Sequence, residues 1–596
     1  MATTRRRFEK YLVGFGLIFS FVALMADSAY SFQAMPKPWR PVLDGSVLAA
    51  TLYFFVSTIV GARRRFGELR WKVFGSAEVV LGILALAGLI AIAFSSIGQR
   101  GLLIAWARTY VAVGLTIVLV RYLGSRLSSS RNPAKEFVAT FLGLIVLGSV
   151  LLWFPRARGE GAEIGVLESI FTATSATCVT GLSVLPDISR DTSRFGQTII
   201  LILMQIGGLG LMTFAAFVAM AMGRGLALRE QAAIRDALNL GQSGGVGRAI
   251  ASILGLTLLV EGIACLALWS IFRREPITEH EPFFSALFHA VSAYCNAGFA
   301  LQPDSLEQFA PNQPAVLVIV MIEIVIGGLG FLVVFDLLRK VLSWRPRWHR
   351  RDDMSSRRPA PVRLALQTKV VLLVSGSLLL VGAVFYLIVE WNNSGTLGTM
   401  PIGHKMLSAT FQSVTTRTAG FSTIDQADLT PASKLFTVML MLIGASPGST
   451  GGGLKTVTLF VVFALVWATF NHRFRTQTFG RALPREVTDR ALVVMTGFIA
   501  VVMCATLVLV ISDWQTPGEL GMENPFLPLL FEVASALGTT GLSTGITPFL
   551  SPTSKVCLIV VMFVGRMGPL TLVLAMRDRR GSKADFEYPE ERVMIG

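Results

Sequence analysis

Apolar runs recur along the whole chain, separated by short polar or basic stretches, and each is long enough to cross about 30 Å of hydrocarbon as a helix. The pattern predicts spanning helices near 11–29, 46–61, 75–96, 102–121, 136–153, 196–221, 250–271, 313–337, 367–389, 432–465, 489–512 and 555–576. Shorter apolar segments lie between several of these and close on a glycine: Thr-Cys-Val-Thr-Gly at 177–181, Tyr-Cys-Asn-Ala-Gly at 294–298, Arg-Thr-Ala-Gly at 417–420 and Leu-Gly-Thr-Thr-Gly at 537–541. Gly181, Gly298, Gly420 and Gly541 recur with a period of about 120 residues, which suits a repeated membrane module. Segments too short to cross must enter and return. Such a backbone is tolerated only where it is buried in protein or lines water.

The repeat extends beyond the glycines. Phe171/Ser175/Gly181, Phe288/Ser292/Gly298 and Phe531/Ser535/Gly541 share one spacing, whereas Phe411 is one residue nearer Gly420, so the third short helix must join its loop differently. Downstream come Ile206-Gly207-Gly208-Leu209-Gly210, Ile326-Gly327-Gly328-Leu329-Gly330, Ile443-Gly444-Ala445-Ser446 and Val564-Gly565-Arg566-Met567-Gly568. Small residues there let helices approach closely or break, with plain packing expected in the first two copies. The chain therefore reads as an all-α polytopic membrane protein. Four pseudo-symmetric span–pore helix–filter–span modules surround one pore, at 136–235, 236–350, 351–480 and 481–576. Four further spans precede them in residues 1–135, and a tail of 577–596 follows. A ring of four such loops can present backbone carbonyls to a permeating cation.

Two features depart from simple packing. The run Ala445-Ser446-Pro447-Gly448-Ser449-Thr450-Gly451-Gly452-Gly453-Leu454-Lys455-Thr456 cannot stay helical inside an apolar segment. It resembles a nucleotide phosphate loop only superficially, since Leu454 separates Gly453 from Lys455 and the flanks are spans instead of a strand and a soluble helix. A broken helix beneath a filter reads as a flexible obstruction, whose middle has no packing role. Arg566 lies in an apolar span, where an isolated charge costs at least about 2.5–3.5 kcal/mol and normally faces the interior or water. Its alternatives are a pore-facing charge and a structural ion pair.

Composition supports the membrane reading: 53% of residues are hydrophobic and 15% are charged. The net charge of +16 is topological, because Arg5–Lys10, Arg63–Lys72, Arg121–Lys135, Arg224–Arg235, Arg339–Arg363, Arg473–Arg490 and Arg577–Lys583 all fall on one side when the spans are counted. Both termini are then cytoplasmic, the filters open outward, and no nucleic-acid partner is implied. Membrane lipids surround the chain. Arg108 and Arg121 do not make the regular arginine series of a voltage sensor, so residues 1–135 read as an accessory unit. Cys178, Cys265, Cys295, Cys504 and Cys557 have no metal-ligand or disulfide-framework spacing.

The four filters, the Gly-Ser-Thr-Gly-Gly-Gly break and the mid-span arginine together resemble the Trk/Ktr potassium-transporter family, most of all its Ktr membrane subunit; the tail Tyr588–Gly596 is similar too. The resemblance covers about 136–596. It implies a homodimer with one pore per subunit in the cytoplasmic membrane, and a separate cytosolic nucleotide-binding ring of RCK/KTN type. It implies potassium ligands at Cys178, Val179, Thr180 and Gly181, at Cys295, Asn296, Ala297 and Gly298, at Arg417, Thr418, Ala419 and Gly420, and at Gly538, Thr539, Thr540 and Gly541. Relatives that favour sodium carry serine at the first filter glycine; here all four glycines are kept, which points to K⁺. The gating loop corresponds to Gly444–Lys455, including Gly448, Ser449, Thr450, Gly451, Gly452 and Gly453, with Arg566 below the filter.

The expected function is potassium uptake, with K⁺ held at the filter only and no cofactor in the chain. Coupled uptake with Na⁺ or H⁺ is the rival raised by the intramembrane acids Glu261 and Glu323, which are equally suited to pairing with arginine. A non-conducting sensor would need an attached signalling domain, and the longest cytoplasmic loop, about 338–366, is short and basic. No nucleophile–base pair suggests an enzyme.

Overall fold

The computed structural model describes residues 133–159, 161–210, 246–274, 281–343, 364–472, 475–520, 524–569 and 571. The four spans expected before residue 122 and the tail 577–596 lie outside them.

An outer helix, a short helix and an inner helix alternate along the described chain. These are α1 (Pro133–Trp153), α2 (Val166–Cys178) and α3 (Arg194–Leu209), then α4 (Val246–Phe272), α5 (Pro282–Cys295) and α6 (Pro314–Leu329), which α7 (Phe331–Ser343) continues. Next come α8 (Leu366–Val389), α9 (Ile402–Thr415) and α10 (Pro431–Leu442), resumed after a break by α11 (Thr456–Phe470). The last set is α12 (Arg485–Asp513), α13 (Phe526–Gly538) and α14 (Pro552–Met567). One hairpin, β1 (Gln477–Thr478) with β2 (Arg481–Ala482), joins α11 to α12.

Packing is cyclic. Each short helix lies against the outer helix of its own set and against the inner helix of the preceding set: α3 on α5, α6 on α9, α10 on α13, and α14 back on α2. The apolar core follows the same ring. Ile200 and Met204 meet Phe288, Val320 and Phe309 meet Phe411 and Phe421, Met441 meets Phe531, and Leu558 and Met562 close on Phe171. The repeated phenylalanines Phe171, Phe288, Phe411 and Phe531 are fully buried. The outer helices turn apolar side chains outward instead; Leu258, Ile388 and Ile511 are 65%, 70% and 76% exposed. An outer face this apolar suits a lipid surround.

Helices α4, α8 and α12 are long and apolar enough to cross a membrane. The span expected as one piece at 313–337 is instead α6 and α7, bent by 102°. The bend falls at Gly330, whose φ of 84° is the left-handed backbone that glycine adopts without a Cβ clash. Gly210 and Gly568 close α3 and α14 with nearly the same angles, φ 78° and 79°. The small-residue element therefore both packs and breaks, in the first two copies as well. The long segment 432–465 is interrupted across 443–455.

Candidate functional site

In three sets the short helix ends in one way. Val179, Asn296 and Thr539 take left-handed φ values of 56°, 58° and 50°. The next amide then turns back to the motif serine: Thr180 N donates to Ser175 O at 2.8 Å, Ala297 N to Ser292 O at 2.7 Å and Thr540 N to Ser535 O at 2.9 Å. The hydroxyls complete the turn. Gly181 N and Gly541 N donate to Ser175 Oγ and Ser535 Oγ at 3.1 and 3.0 Å, and Ser292 Oγ donates to Phe299 O at 2.8 Å. Helix α9 stops at Thr415, five residues before its glycine, where the other three stop three residues before theirs. There Thr418 is left-handed (φ 69°), Thr415 O accepts from Ala419 N at 3.0 Å, and Thr415 Oγ1 donates to Phe421 O at 2.6 Å.

These turns bring the four glycines together. Gly181, Gly298, Gly420 and Gly541 have φ of 91°, 73°, 83° and 93°. A Cβ on Gly298 would lie 2.7 Å from Ala419 O; one on Gly181 would strike Ala297 O, one on Gly420 Thr540 O, and one on Gly541 Thr180 O. Each glycine thus abuts the carbonyl that precedes the next glycine, and the fourth returns to the first. Cys178, Val179 and Thr180, Cys295 to Gly298, Arg417 to Gly420, and Gly538 to Thr540 are buried, while Gly181 and Gly541 are partly exposed.

The segment 443–455 lies directly under this ring. A parallel bridge pairs Ile443 with Leu454, and Gly444 N donates to Leu454 O at 2.9 Å, so the segment is a closed loop. Ser446 N and Thr450 N donate to Gly328 O and Gly327 O of α6 at 3.1 and 3.3 Å. Thr450 Oγ1 donates to Tyr294 O at 3.1 Å, and Gly452 N to Thr539 Oγ1 at 3.0 Å. Side chains at Gly451 and Gly452 would run into Thr418 and Thr539. Gly448 (φ 73°) and Gly453 (φ 68°) make the bends, and Ser449 Oγ donates to Ser446 O at 2.6 Å. The expectation that Ser449–Gly452 has no packing role is therefore corrected: the loop is fitted against the second, third and fourth filter turns, because glycine allows backbone to approach there.

Three cations tie the loop down. Arg566 donates from its two terminal nitrogens to Thr450 O of the loop and Gly207 O of α3, latching the loop to the first set. Lys455 Nζ donates to Gly451 O at 2.6 Å, within its own loop. Arg417 Nη2 donates to Gly444 O at 3.4 Å. Arg566 meets main-chain carbonyls here and no carboxylate, so the ion-pair alternative has no partner among the described residues.

Some of this was invisible in the sequence. Asn296, Thr418 and Thr539 matter through side chains as well as carbonyls: the Asn296 amide pairs with Thr418 Oγ1 at 3.3 Å and meets Thr450. Their shared position, two before each filter glycine, was the available signal. Gly207, Gly327 and Gly565 also occupy one register, where a Cβ would strike the carbonyls of Thr177, Tyr294 and Leu537 respectively. Those carbonyls all lie four residues before a filter glycine. Glu261 and Glu323 sit behind the second turn and are 5% and 1% exposed. Among the described residues no cluster of His, Cys, Asp and Glu is arranged for a metal.

At the opposite rim, the loops after the second and third filter glycines join. Leu306 N donates to Ser422 O at 3.0 Å, and Ser422 Oγ to Glu307 at 3.4 Å. Burial, reinforced by Asp425 and Asp304, pushes the Glu307 carboxyl up to about 7. A carboxyl raised in the folded state contributes stability below about 4.5 that is lost as pH rises to about 7. Glu307→Gln is expected to flatten the melting temperature between those limits and raise it by a few degrees above pH 7, read by thermal unfolding at a series of pH values. An unchanged slope would remove Glu307 as the cause.

The family model for TrkH, a cation transport protein, matches residues 116–587. The Ktr system potassium uptake protein B of Bacillus subtilis is 34% identical over 467 residues, covering 78% of this chain and 97% of the relative. The potassium/sodium uptake protein NtpJ of Enterococcus hirae is 34% identical over 473 residues, covering 79% and 99%. In fold the chain is similar to the crystal structure of the potassium transporter TrkH from Vibrio parahaemolyticus, with a TM-score of 0.59 at 19% identity, covering 85% of this chain and 98% of that one. The chain thus belongs to the TrkH family of cation transport proteins, and is a membrane transporter, not an enzyme.

Proposed function

We propose that this chain takes up potassium through the four-glycine ring, with K⁺ as the transported ion and no resident cofactor. The observation that carries the reading is the closed cycle in which each filter glycine abuts the carbonyl before the next. A ring of backbone oxygens with no side chain between them replaces the hydration shell of a cation without adding fixed charge. The loop 443–455, latched by Arg566, is the gate. The chain lies in the cytoplasmic membrane with both termini inside, as the basic clusters favour. It works as a homodimer with one pore per subunit, on which a separate cytosolic RCK/KTN-type ring acts. Uptake coupled to Na⁺ or H⁺ is the second reading, supported by the buried acids Glu261 and Glu323.

Gly181→Ser tests the filter. Its hydroxymethyl group would enter against Ala297 O and Gly298, widening or tilting one quarter of the ring. The expected result in proteoliposomes is a loss of K⁺ over Na⁺ discrimination of roughly tenfold or more. Selectivity equal to the parent's would sink the filter assignment.

A further inference from the structure

We propose that the cleft framed by the end of α11, the β1–β2 hairpin and the start of α12 binds the phosphate of an anionic phospholipid. The hairpin is held in one shape. Phe479 and Gly480 take left-handed φ values of 48° and 74°, which close a two-residue turn. Thr478 pairs with Arg481, and Leu483 N donates to Thr476 O at 2.9 Å. At the tip the Phe479 ring stacks on Phe460 of α11 at 6.5 Å, and Lys369 Nζ of α8 lies 5.9 Å from the ring centre. Folded back in this way, the hairpin leaves a cleft of about 480 Å³ between itself and the two helices. That size suits a small organic ligand, for which sites run from about 300 to 1,000 Å³.

The polar wall is made of donors. Arg475 and Arg485 are the charged residues that line the cleft, and no carboxylate among the described residues lines it with them. Neither guanidinium has an ion-pair or hydrogen-bond partner among the described residues. Glu486, next to Arg485, is taken by Arg490 at 2.6 Å. Thr476 lines the same cleft at 7% exposure, and its hydroxyl has no hydrogen-bond partner among the described residues. A hydroxyl buried to that extent is ordinarily satisfied. Helix α12 starts at the cleft behind Pro484, which has no side-chain oxygen to cap the first amides, so the positive end of the helix is left open to an anion. Phosphate oxygens accept from all of these groups, and charge-assisted bonds to guanidinium are the strong ones.

The apolar wall selects a lipid over a soluble phosphate. Leu465 and Ala468 of α11 and Leu483 beyond β2 complete the lining. Trp467 and Phe470, on the same stretch of α11, are 57% and 80% exposed, and tryptophan is enriched at the membrane–water interface. A headgroup phosphate on the arginines leaves acyl chains to cover these side chains, whereas a soluble anion leaves them bare. The topology proposed above puts this cleft on the inner face, where basic pockets between spans hold anionic headgroups.

Native mass spectrometry of the full-length protein, stripped of lipid in a neutral detergent and titrated with dioleoyl phosphatidylglycerol, tests the site. The parent is expected to hold one phosphatidylglycerol roughly tenfold more tightly than dioleoyl phosphatidylcholine. Its melting temperature should rise with the bound lipid. Arg475→Gln and Arg485→Gln should each weaken phosphatidylglycerol by roughly three- to tenfold and leave phosphatidylcholine unchanged, and Thr476→Val should weaken it by roughly threefold. Arg481→Gln removes the same charge from the same hairpin outside the cleft and should bind as the parent does. Melting temperatures without lipid separate lost binding from misfolding. If Arg485→Gln does not fold, Arg485→Lys, which keeps the charge without the fork, should bind with an affinity between those of the parent and Arg475→Gln. Equal affinity for the two lipids, or the same loss in Arg481→Gln as in the cleft variants, overturns the proposal. Inorganic phosphate or short-chain dibutyryl phosphatidylglycerol competing as well as the dioleoyl lipid would make the cleft a soluble-anion site and overturn the lipid assignment.

Discussion

Arg566→Gln is expected to raise K⁺ flux by roughly tenfold or more and to leave the fold intact. The guanidinium holds the loop by Thr450 O and α3 by Gly207 O, and on the proposed filter reading its charge would also face the cation path, where screening is weak. Glutamine keeps a donor for one of those carbonyls, loses the charge and cannot span both. Among the described residues no carboxylate is stranded, so the heavy cost of breaking a buried ion pair, about 3–5 kcal/mol, does not arise there. Arg566→Lys separates the two roles: the charge persists, but a point ammonium cannot reproduce the planar fork. Its flux should stay closer to the parent's. Flux and melting temperature measured on the same preparations decide, and a Gln variant that melts early with no gain in flux would return Arg566 to a structural role.

Deleting Ser449–Gly452 should give the larger gain. The deletion removes the carbonyl that Arg566 grips and the amide that donates to Thr539 Oγ1, so the obstruction under the ring is lost together with its latch. Uptake should then no longer depend on a regulatory partner. Because these residues pack against three filter turns, some loss of K⁺ over Na⁺ selectivity should accompany the gain. Folded protein with parental or no flux would count against a gate. ATP binding by the chain alone, lost in Lys455→Ala, would revive a phosphate loop; Lys455 instead donates to the carbonyl of Gly451 four residues before it.

The repeat was legible because each piece of it needs a particular residue. The left-handed filter backbone needs glycine, the turn into it needs a hydroxyl six residues earlier, and the core needs a phenylalanine one helical turn before that. Even the third module's missing residue is visible as Phe411 standing nearer Gly420, and Thr415 takes over the serine's work. What the sequence hid are relations between distant segments. Nothing in the run 443–455 says that Thr450 will sit against Tyr294, or that Arg566 will choose two carbonyls over a carboxylate. The bend at Gly330 was hidden differently: apolarity continues across it, so hydropathy reads one span where the backbone turns by 102°.

Gly207, Gly327 and Gly565 give the ring a collar. Each presses bare backbone against the carbonyl that opens a filter turn. The bore is thereby set from outside, by how closely three neighbouring helices can lean in, and a single methyl group added to any of them would push its quarter toward the axis. On the proposed filter reading, ion choice would then be a property of helix spacing as much as of the residues that meet the ion. Changes of inner-helix tilt, from lipid thickness or from a partner pulling on the inner face, would be felt as changes in selectivity before any gate had opened.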